Sequence, residues 1–161
     1  ITLLLEQKLA DLLVLAEGEI LREYLYDNSM ANKVQLAREF LLLARRKPKY
    51  AQIRMLDTEG NEIIRINNSF GSPEVIPTSE LQNKSHRYYF QQTMDLPQGD
   101  VYISPMDLNV EYGEIVQPLE PTIRFGSGPS RRSGALFHER IRSVNLSSRM
   151  ILPRTNIELD C

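Results

Sequence analysis

The sequence contains a single cysteine, Cys161, and no tryptophan. One cysteine excludes an internal disulfide and a zinc site built from several thiolates. The only histidines, His86 and His138, lie in segments of different character and lack the close helical spacing of a metal-binding pair. No metal site is therefore predicted.

The sequence motifs of common enzymes are also missing. There is no G-x-S-x-G turn that would expose a nucleophilic serine. Gly126 and Gly128 lack the third glycine and the following helical pattern of a nucleotide-binding loop. We therefore predict a protein that is not an enzyme, with no catalytic residues and no cofactor.

The chain has neither a long apolar run nor a strong net charge. No stretch reaches about 18 consecutive apolar residues, so no segment is predicted to span a bilayer. The net charge of −2 favours neither nucleic acid nor an anionic membrane surface as a partner. The chain begins within an amphipathic helical pattern rather than at Met, and we expect it to be a piece of a longer protein.

Helical periodicity dominates the first part of the chain. Residues 2–26 are predicted to form one long helix, and a second helix is predicted from the capping residue Ser29 to Arg45 or Arg46, before Pro48. The apolar face of the first helix is formed by Leu5, Leu9, Leu12, Leu13, Ala16, Ile20 and Tyr24. The apolar faces of the two helices could pack on each other, on the following sheet or on a partner chain. We expect the face of the first helix to pair with a second copy of the chain in a homodimer.

Residues 50–67 predict a complete β-hairpin. Apolar and polar residues alternate on both sides of the turn, as in a half-buried pair of strands. The turn begins at Asp57, whose side chain can bond the local backbone, and contains Gly60, which can adopt a positive φ.

The same hairpin carries four charged side chains, Arg54, Asp57, Glu62 and Arg65. Solvated cross-strand ion pairs are the simpler interpretation, and each would contribute well under about 1 kcal/mol. The alternative is that one arginine points inward and holds a ligand carboxylate with its planar guanidinium.

The rest of the chain predicts shorter elements. They are a loop over 67–79, a helix from 79 or 80 to about 93, strands over 101–104, 111–116 and 122–125, and a further short strand over 134–137. Residues 138–161 keep neither helical nor strand periodicity, so we expect an atypical tail there, either non-native or disordered. The predicted organisation is a helical segment (1–47), a sheet module (48–137) and this tail.

The few aromatic residues, 7% of the chain, concentrate at 88–90 and 102. Tyrosine supplies both the apolar wall and the polar groups of a ligand pocket, although such residues can also simply cover one face of a sheet. A neighbouring arginine would suit an anionic small molecule. The predicted ligand-binding residues are Arg87, Tyr88, Tyr89, Tyr102, Ser104 and Arg124.

The order of these elements resembles the membrane-distal module of double-Cache (PDC, PAS-like) sensor domains. The resemblance covers residues 5–125 and rests on four pieces in sequence. They are the long first helix, the hairpin I-R-M-L-D-T-E-G-N-E-I-I-R-I, the segment L-Q-N-K-S-H-R-Y-Y-F-Q, and V-Y-I-S-P-M-D-L-N-V-E-Y-G-E-I-V-Q-P-L-E-P-T-I-R-F. The resemblance implies an α+β fold in which the long N-terminal helix and the second helix pack on a central antiparallel PAS-like sheet.

The sequence departs from that family in three respects. The segment after I-R-F matches the family's final hairpin and apolar strand only loosely, and the second, membrane-proximal module is missing. The chain also lacks the tryptophan of the Arg-Trp-Tyr signature that marks the amino-acid-binding branch. The resemblance therefore does not support amino acids as ligands.

The resemblance implies an extracytoplasmic (periplasmic) sensing domain of a bacterial receptor anchored in the inner membrane. The receptor would be a histidine kinase, a diguanylate cyclase or a chemoreceptor, and the bound small molecule would shift the first helix. The alternative is a structural or dimerisation module of such a receptor that binds no ligand.

Overall fold

Three consecutive helices form the N-terminal part of the fold in the computed structural model, which describes residues 2–69, 71–97, 99–128 and 143–149. They are α1 (Thr2–Glu17), α2 (Glu19–Tyr26) and α3 (Met30–Arg46). The single helix predicted over 2–26 is interrupted at Gly18, which has an extended backbone conformation. Glycine loses more entropy than any other residue on entering a helix, and apolar periodicity does not detect such a break.

The start of α3 is confirmed at the predicted cap. The Ser29 side chain accepts a hydrogen bond from the Asn32 backbone N–H at 3.4 Å, which satisfies one of the free donors of the first helical turn. At the other end, Arg45 and Arg46 lie in the last turn, where positive charge interacts favourably with the helix dipole.

The sheet that follows is antiparallel throughout. Its strands are β1 (Tyr50–Leu56), β2 (Glu62–Ser69), β3 (Ser72–Val75), β4 (Val101–Ile103), β5 (Asp107–Leu108), β8 (Pro121–Ser127) and β9 (Ser143–Arg149). The spatial order is β3-β2-β1-β9-β8-β4, with β5 beside β8, while β6 (Val110–Glu111) and β7 (Glu114–Ile115) form a separate hairpin. Helices packed on an antiparallel sheet confirm the predicted α+β class.

The β1–β2 hairpin forms as predicted. Ile53 lies opposite Ile66, and Arg54 lies opposite Arg65. Asp57 Oδ1 accepts hydrogen bonds from the backbone N–H groups of residues 59 and 61, both at 2.9 Å. Gly60 has φ +81°, and a Cβ at this position would lie only 2.5 Å from the Ser85 backbone nitrogen. The turn therefore needs glycine for its conformation and for its close contact with the next segment.

The segment after the hairpin differs from the prediction. Part of the expected loop is the edge strand β3, where Pro73 is tolerated because one side of the strand is unpaired. The helix expected over 79–93 is reduced to α4 (Tyr88–Met94). Asn83 Oδ1 accepts a hydrogen bond from the Ser85 N–H at 2.9 Å, and the Lys84 N–H donates to Gly60 O at 2.7 Å. The first bond is local to the segment, and the second ties the segment to the hairpin turn, so both replace a helical hydrogen-bond pattern.

The predicted strands 101–104 and 122–125 are confirmed as β4 and β8, within a few residues. The strand predicted over 111–116 is instead the β6–β7 hairpin. Tyr112 and Gly113 both have positive φ, 52° and 82°, as a two-residue turn that matches the twist of the flanking strands requires.

Strand β9 corrects the prediction that no regular element follows residue 137. It pairs with β1 on one side and with β8 on the other, so it occupies a central position in the sheet. The division of the chain into three parts stays a prediction, and the strand predicted over 134–137 lies outside the described residues, as do the other parts of the predicted tail.

Helices α1, α2 and α3 share a single apolar core with one face of the sheet. Its buried members are Leu12, Leu15, Leu21, Tyr24, Leu36, Phe40, Ala44, Tyr50, Ile53, Met55, Ile64, Ile66 and Phe125. Leu5, Leu9, Ala16 and Ile20 pack against this core, so much of the α1–α2 apolar face that suggested a homodimer is used inside the chain. Dimerisation stays a prediction.

Candidate functional site

The face of the sheet opposite helices α1 to α3 carries polar side chains, and we call it the polar face. Alternation along β1 and β8 places Ile53, Met55 and Phe125 in the helix-side core and Arg54 and Arg124 on the other side. Arg54 and Arg124 are nevertheless almost completely buried, at 2% and 3% relative exposure. Buried arginines on a sheet face require partners from the segments that cover it.

The six predicted ligand-binding residues lie close together at one end of the polar face. The Tyr89 ring lies at their centre. The guanidinium carbons of Arg124 and Arg87 lie 4.9 Å and 5.6 Å from its centroid. The Tyr88 ring packs edge to face against it, with 5.7 Å between the two ring centroids. Tyr102 packs on the small apolar cluster that contains Tyr89. The structure therefore assembles the predicted set in space, while its role in binding stays a prediction.

Arg124 and Arg87 differ in their partners. Arg124 forms an ion pair with Asp107, and its backbone N–H donates to Ser104 Oγ at 2.9 Å. Asp107 also accepts a hydrogen bond from the Tyr88 hydroxyl. The pKa of Tyr88 is raised by burial first and by this bond second. By contrast, the Arg87 Nε is buried without a hydrogen-bond partner, so Arg87 is the better placed of the two arginines for an anion.

A second group of side chains lies beside the predicted site. We call it the charged cluster, and it consists of Arg54, Glu62, Arg65, Lys84 and Glu111. The Arg54 Nη1 donates to the Tyr89 hydroxyl at 3.4 Å and so connects the cluster to the predicted site.

Each carboxylate of the charged cluster contacts several cations. Glu62 Oε2 accepts from Arg65 Nη1 at 2.8 Å, and Glu62 Oε1 lies 3.1 Å from Arg54 Nη1. Glu111 Oε1 lies 3.1 Å from Arg54 Nη2, and Glu111 Oε2 lies 3.0 Å from Lys84 Nζ. Three cations face two carboxylates, so the cluster carries an excess of one positive charge.

The charged cluster contradicts the prediction of solvated cross-strand pairs in the hairpin. The side chains of Arg54 and Arg65 are 3% exposed and that of Glu62 is 0% exposed. Asp57, the fourth charged residue, is also buried, but its carboxylate accepts a backbone hydrogen bond within the hairpin turn. Taking such charges out of water costs several kcal/mol per ion unless their geometry compensates for it, so this arrangement is not a surface feature.

The charges of the cluster shift the protonation equilibria of its members. Burial alone would raise the pKa of Glu111, but the charges of Arg54 and Lys84 and hydrogen bonds from Gln52 and Lys84 lower it to about 2. Burial lowers the pKa of Lys84, the charge of Arg54 lowers it further, and Glu111 opposes both. Glu111 is therefore held ionised by the cluster.

We predict that Glu111 contributes an acid-sensitive part of the stability. Its pKa is lowered from 4.5 to about 2, so its contribution is complete above about pH 4.5 and is lost as the pH falls towards 2. The free energy of unfolding, measured in urea, should lose about 2 to 3 kcal/mol across this window through Glu111 alone. The variant Glu111→Gln should show a correspondingly weaker pH dependence. An identical pH profile in both proteins would contradict this assignment.

The sequence analysis missed Asp107, Lys84 and Glu111, and also Gln52 and Gln82, which bond Glu111. One signal was available: like charges directly opposite each other on paired strands are unfavourable, so Arg54 and Arg65 together require more negative charge than the single carboxylate of Glu62 provides. Nothing local indicates that Glu111, 57 residues from Arg54 in sequence, provides it.

Within the described ranges, no group of three or more His, Cys, Asp or Glu side chains is arranged to hold a metal ion. The same part of the chain contains no helix that is both long enough and apolar enough to cross a membrane.

An N-terminal helical layer on an antiparallel sheet agrees with the fold of PAS-like sensor domains. Residues 2–134 match the family described as the sensor domain of bacterial histidine kinases. The chain belongs to this family.

Among the solved structures that share the fold are the following two. One is a domain of a protein from Vibrio parahaemolyticus described as sensory box/GGDEF family, and the other is the extracellular domain of the histidine kinase described as vpHK1S-Z8. Each has a TM-score of 0.80 and 28% sequence identity over 89% of this chain. The matches cover 52% and 50% of those structures, so the chain spans about half their length. No curated protein matches the chain.

The comparisons agree with the predicted class. Both neighbours belong to signalling proteins, and the second is described as extracellular, in agreement with the extracytoplasmic location predicted from the sequence. The domain boundaries and the roles of the six predicted site residues are not addressed by these similarities.

Proposed function

We propose that this domain is the extracytoplasmic sensor of a bacterial membrane receptor and that it binds a small anionic molecule on its polar face. The family assignment supports a sensor domain. The structural neighbours support a histidine kinase or a GGDEF protein, that is a diguanylate cyclase, as the parent receptor.

The observation that carries the proposal is the buried excess of positive charge on the polar face. Arg54, Arg65 and Lys84 outnumber the two carboxylates among them, and the Nε atoms of Arg54, Arg65 and Arg87 are buried without hydrogen-bond partners. Most buried polar groups in proteins have partners, and an exception requires an explanation. A bound anion would supply both the missing charge and the missing acceptors.

The geometry also supports a route from the polar face to α1. Strand β8 carries Arg124 on the polar face and Phe125 on the helix side. The Lys8 ammonium of α1 lies 6.0 Å from the Phe125 ring centroid and 4.6 Å from that of Tyr50. Tyr50 in turn donates a hydrogen bond to Asp11 of α1 at 2.7 Å. A ligand that binds one arrangement of these strands better than another would shift the position of α1.

A thermal-shift screen against small organic acids tests the proposal. An acid that binds only the folded domain raises its melting temperature, by an amount that grows with concentration. The variant Tyr102→Ala should weaken the response at least several-fold without unfolding the domain, because Tyr102 is only partly buried. The matched control is Tyr26→Ala, at an exposed position on α2, which should respond like the wild type. The absence of a response to every acid would contradict the proposal.

Pairing of two receptors through α1 belongs to the same proposal. Leu3 and Val14 are large apolar residues of α1 that are exposed, with relative exposures of 68% and 67%. Light scattering at increasing concentration measures the association. A domain that associates but responds to no acid would favour the alternative of a ligand-free dimerisation module.

A further inference from the structure

We infer that the donors around Glu111 form a carboxylate-binding site and that Glu111 itself occupies this site as a substitute for a ligand. The inference deepens the proposed function and rests on it in one respect, since both place the ligand on the polar face. It adds the chemical group that is recognised and the residue that an external ligand would have to replace.

The first observation that supports the inference is that hydrogen-bond donors surround both oxygens of the Glu111 carboxylate. Oxygen Oε1 of Glu111 accepts from Gln52 Nε2 at 2.9 Å and from Arg54 Nη2 at 3.1 Å. Oxygen Oε2 accepts from Gln82 Nε2 at 2.9 Å and from Lys84 Nζ at 3.0 Å. Four donors, two of them charged, therefore converge on two oxygens, as in a binding site for a free carboxylate.

The second support is that these donors are held by residues other than Glu111. Arg54 contacts Glu62 and the Tyr89 hydroxyl. The Lys84 ammonium donates to Gln82 at 2.9 Å, and its backbone N–H donates to Gly60 at 2.7 Å. These bonds do not involve Glu111, so we expect them to keep the donors in position when the Glu111 carboxylate leaves.

The third support is the weak attachment of the hairpin that carries Glu111. Tyr112, Gly113, Glu114 and Ile115 are all exposed. Apart from the bonds of Glu111 and the backbone bonds at the base of the hairpin, its hydrogen bonds to the rest of the described chain are two long ones from Tyr112. They run to Gln82 at 3.3 Å and to Glu80 at 3.4 Å. The Glu111 carboxylate is thus the main attachment of the β6–β7 hairpin to the polar face.

Charge explains why the site would accept a ligand in place of Glu111. Without Glu111 the cluster retains Arg54, Arg65 and Lys84 against Glu62 alone, an excess of two positive charges in a buried site. A ligand carboxylate restores the balance that Glu111 provided.

Rescue of a Glu111→Ala variant by acetate tests the inference. The substitution removes the atoms that acetate supplies, namely one methylene and the carboxylate. We expect Glu111→Ala to melt several degrees lower than the wild type, and sodium acetate at roughly 100 mM to recover at least half of the loss with saturation. Acetamide and sodium chloride at the same concentration should recover nothing, because they lack a carboxylate.

The matched control is Glu114→Ala, which removes an exposed carboxylate from the same hairpin. It should melt like the wild type and respond to acetate no more than the wild type does. If Glu111→Ala does not fold in buffer, its refolding yield from urea with acetate or with acetamide replaces the melting temperature, and a higher yield with acetate supports the inference. Equal effects of acetate on all three proteins, or equal effects of acetate and acetamide on Glu111→Ala, would overturn it.

The result of the acetate rescue can be distinguished from the result of the thermal-shift screen that tests the proposed function. Rescue by acetate reports on the carboxylate site alone, and the screen of the wild type with Tyr102→Ala reports on ligand sensing alone. A wild type that binds an acid while acetate fails to rescue Glu111→Ala would leave sensing intact and reject the role of Glu111. Rescue without any response of the wild type would reject sensing and retain the carboxylate site.

Discussion

A chain that ends at Phe137 is expected to lose its cooperative unfolding transition, because it lacks β9. This strand supplies the backbone partners of β1 on one side and of β8 on the other. Its loss leaves two internal strands with unpaired N–H and C=O groups, at a cost of about 1 to 3 kcal/mol for each buried group. A domain has only about 5 to 15 kcal/mol of stability in total, so the sheet should not persist.

Calorimetry and circular dichroism check this result. The matched control is a chain that ends at Arg149, which keeps every strand that the structure describes and should retain a sharp transition. A sharp transition at an unchanged temperature in the chain that ends at Phe137 would show that β9 is dispensable and that the tail prediction made from the sequence was right in energetic terms.

The variant Glu62→Gln is expected to destabilise the domain by about 3 to 5 kcal/mol. The Glu62 carboxylate is completely buried between Arg54 and Arg65, which lie directly opposite each other on β1 and β2. Glutamine keeps the volume but removes the negative charge and places amide donors against guanidinium donors. Two facing arginines then lose a counter-ion inside the protein.

Equilibrium unfolding in urea measures this cost. The control Glu74→Gln removes an exposed carboxylate from the edge strand β3 and should change the stability by no more than about 0.5 kcal/mol. A similar small change for Glu62→Gln would mean that the charges of the cluster are better solvated than their burial indicates.

The elements that the sequence predicted well are those with local causes. The Ser29 cap and the Asp57–Gly60 turn act over a few residues, and both form as expected. Strand β9 was missed because its sequence, S-V-N-L-S-S-R, has only two apolar residues in alternation. Its position depends on strands that are distant in sequence, and local periodicity does not contain that information.

The candidate site also combines features with local causes and features that depend on residues distant in sequence. The predicted tyrosines and arginines meet around Tyr89 because α4 keeps the second half of the predicted helix and β8 forms where it was expected. The burial of Arg54 and the role of Glu111 depend on the β6–β7 hairpin, which covers the polar face from another part of the chain. Hydrophobic alternation along β1 predicts which residues share a face, but not which face remains in contact with water.

NMR of the arginine Nε–H groups tests most directly whether the polar face holds the ligand. The signals are recorded before and after addition of the acid that gives the largest thermal shift. Binding on the polar face should give large shifts and slower exchange with water for Arg54, Arg65 and Arg87, whose Nε atoms are buried and lack hydrogen-bond partners. The exposed Arg22 and Arg38 on the helices should not change at constant ionic strength. Saturable binding with unchanged signals from all three buried arginines would contradict the central claim that the polar face holds the ligand.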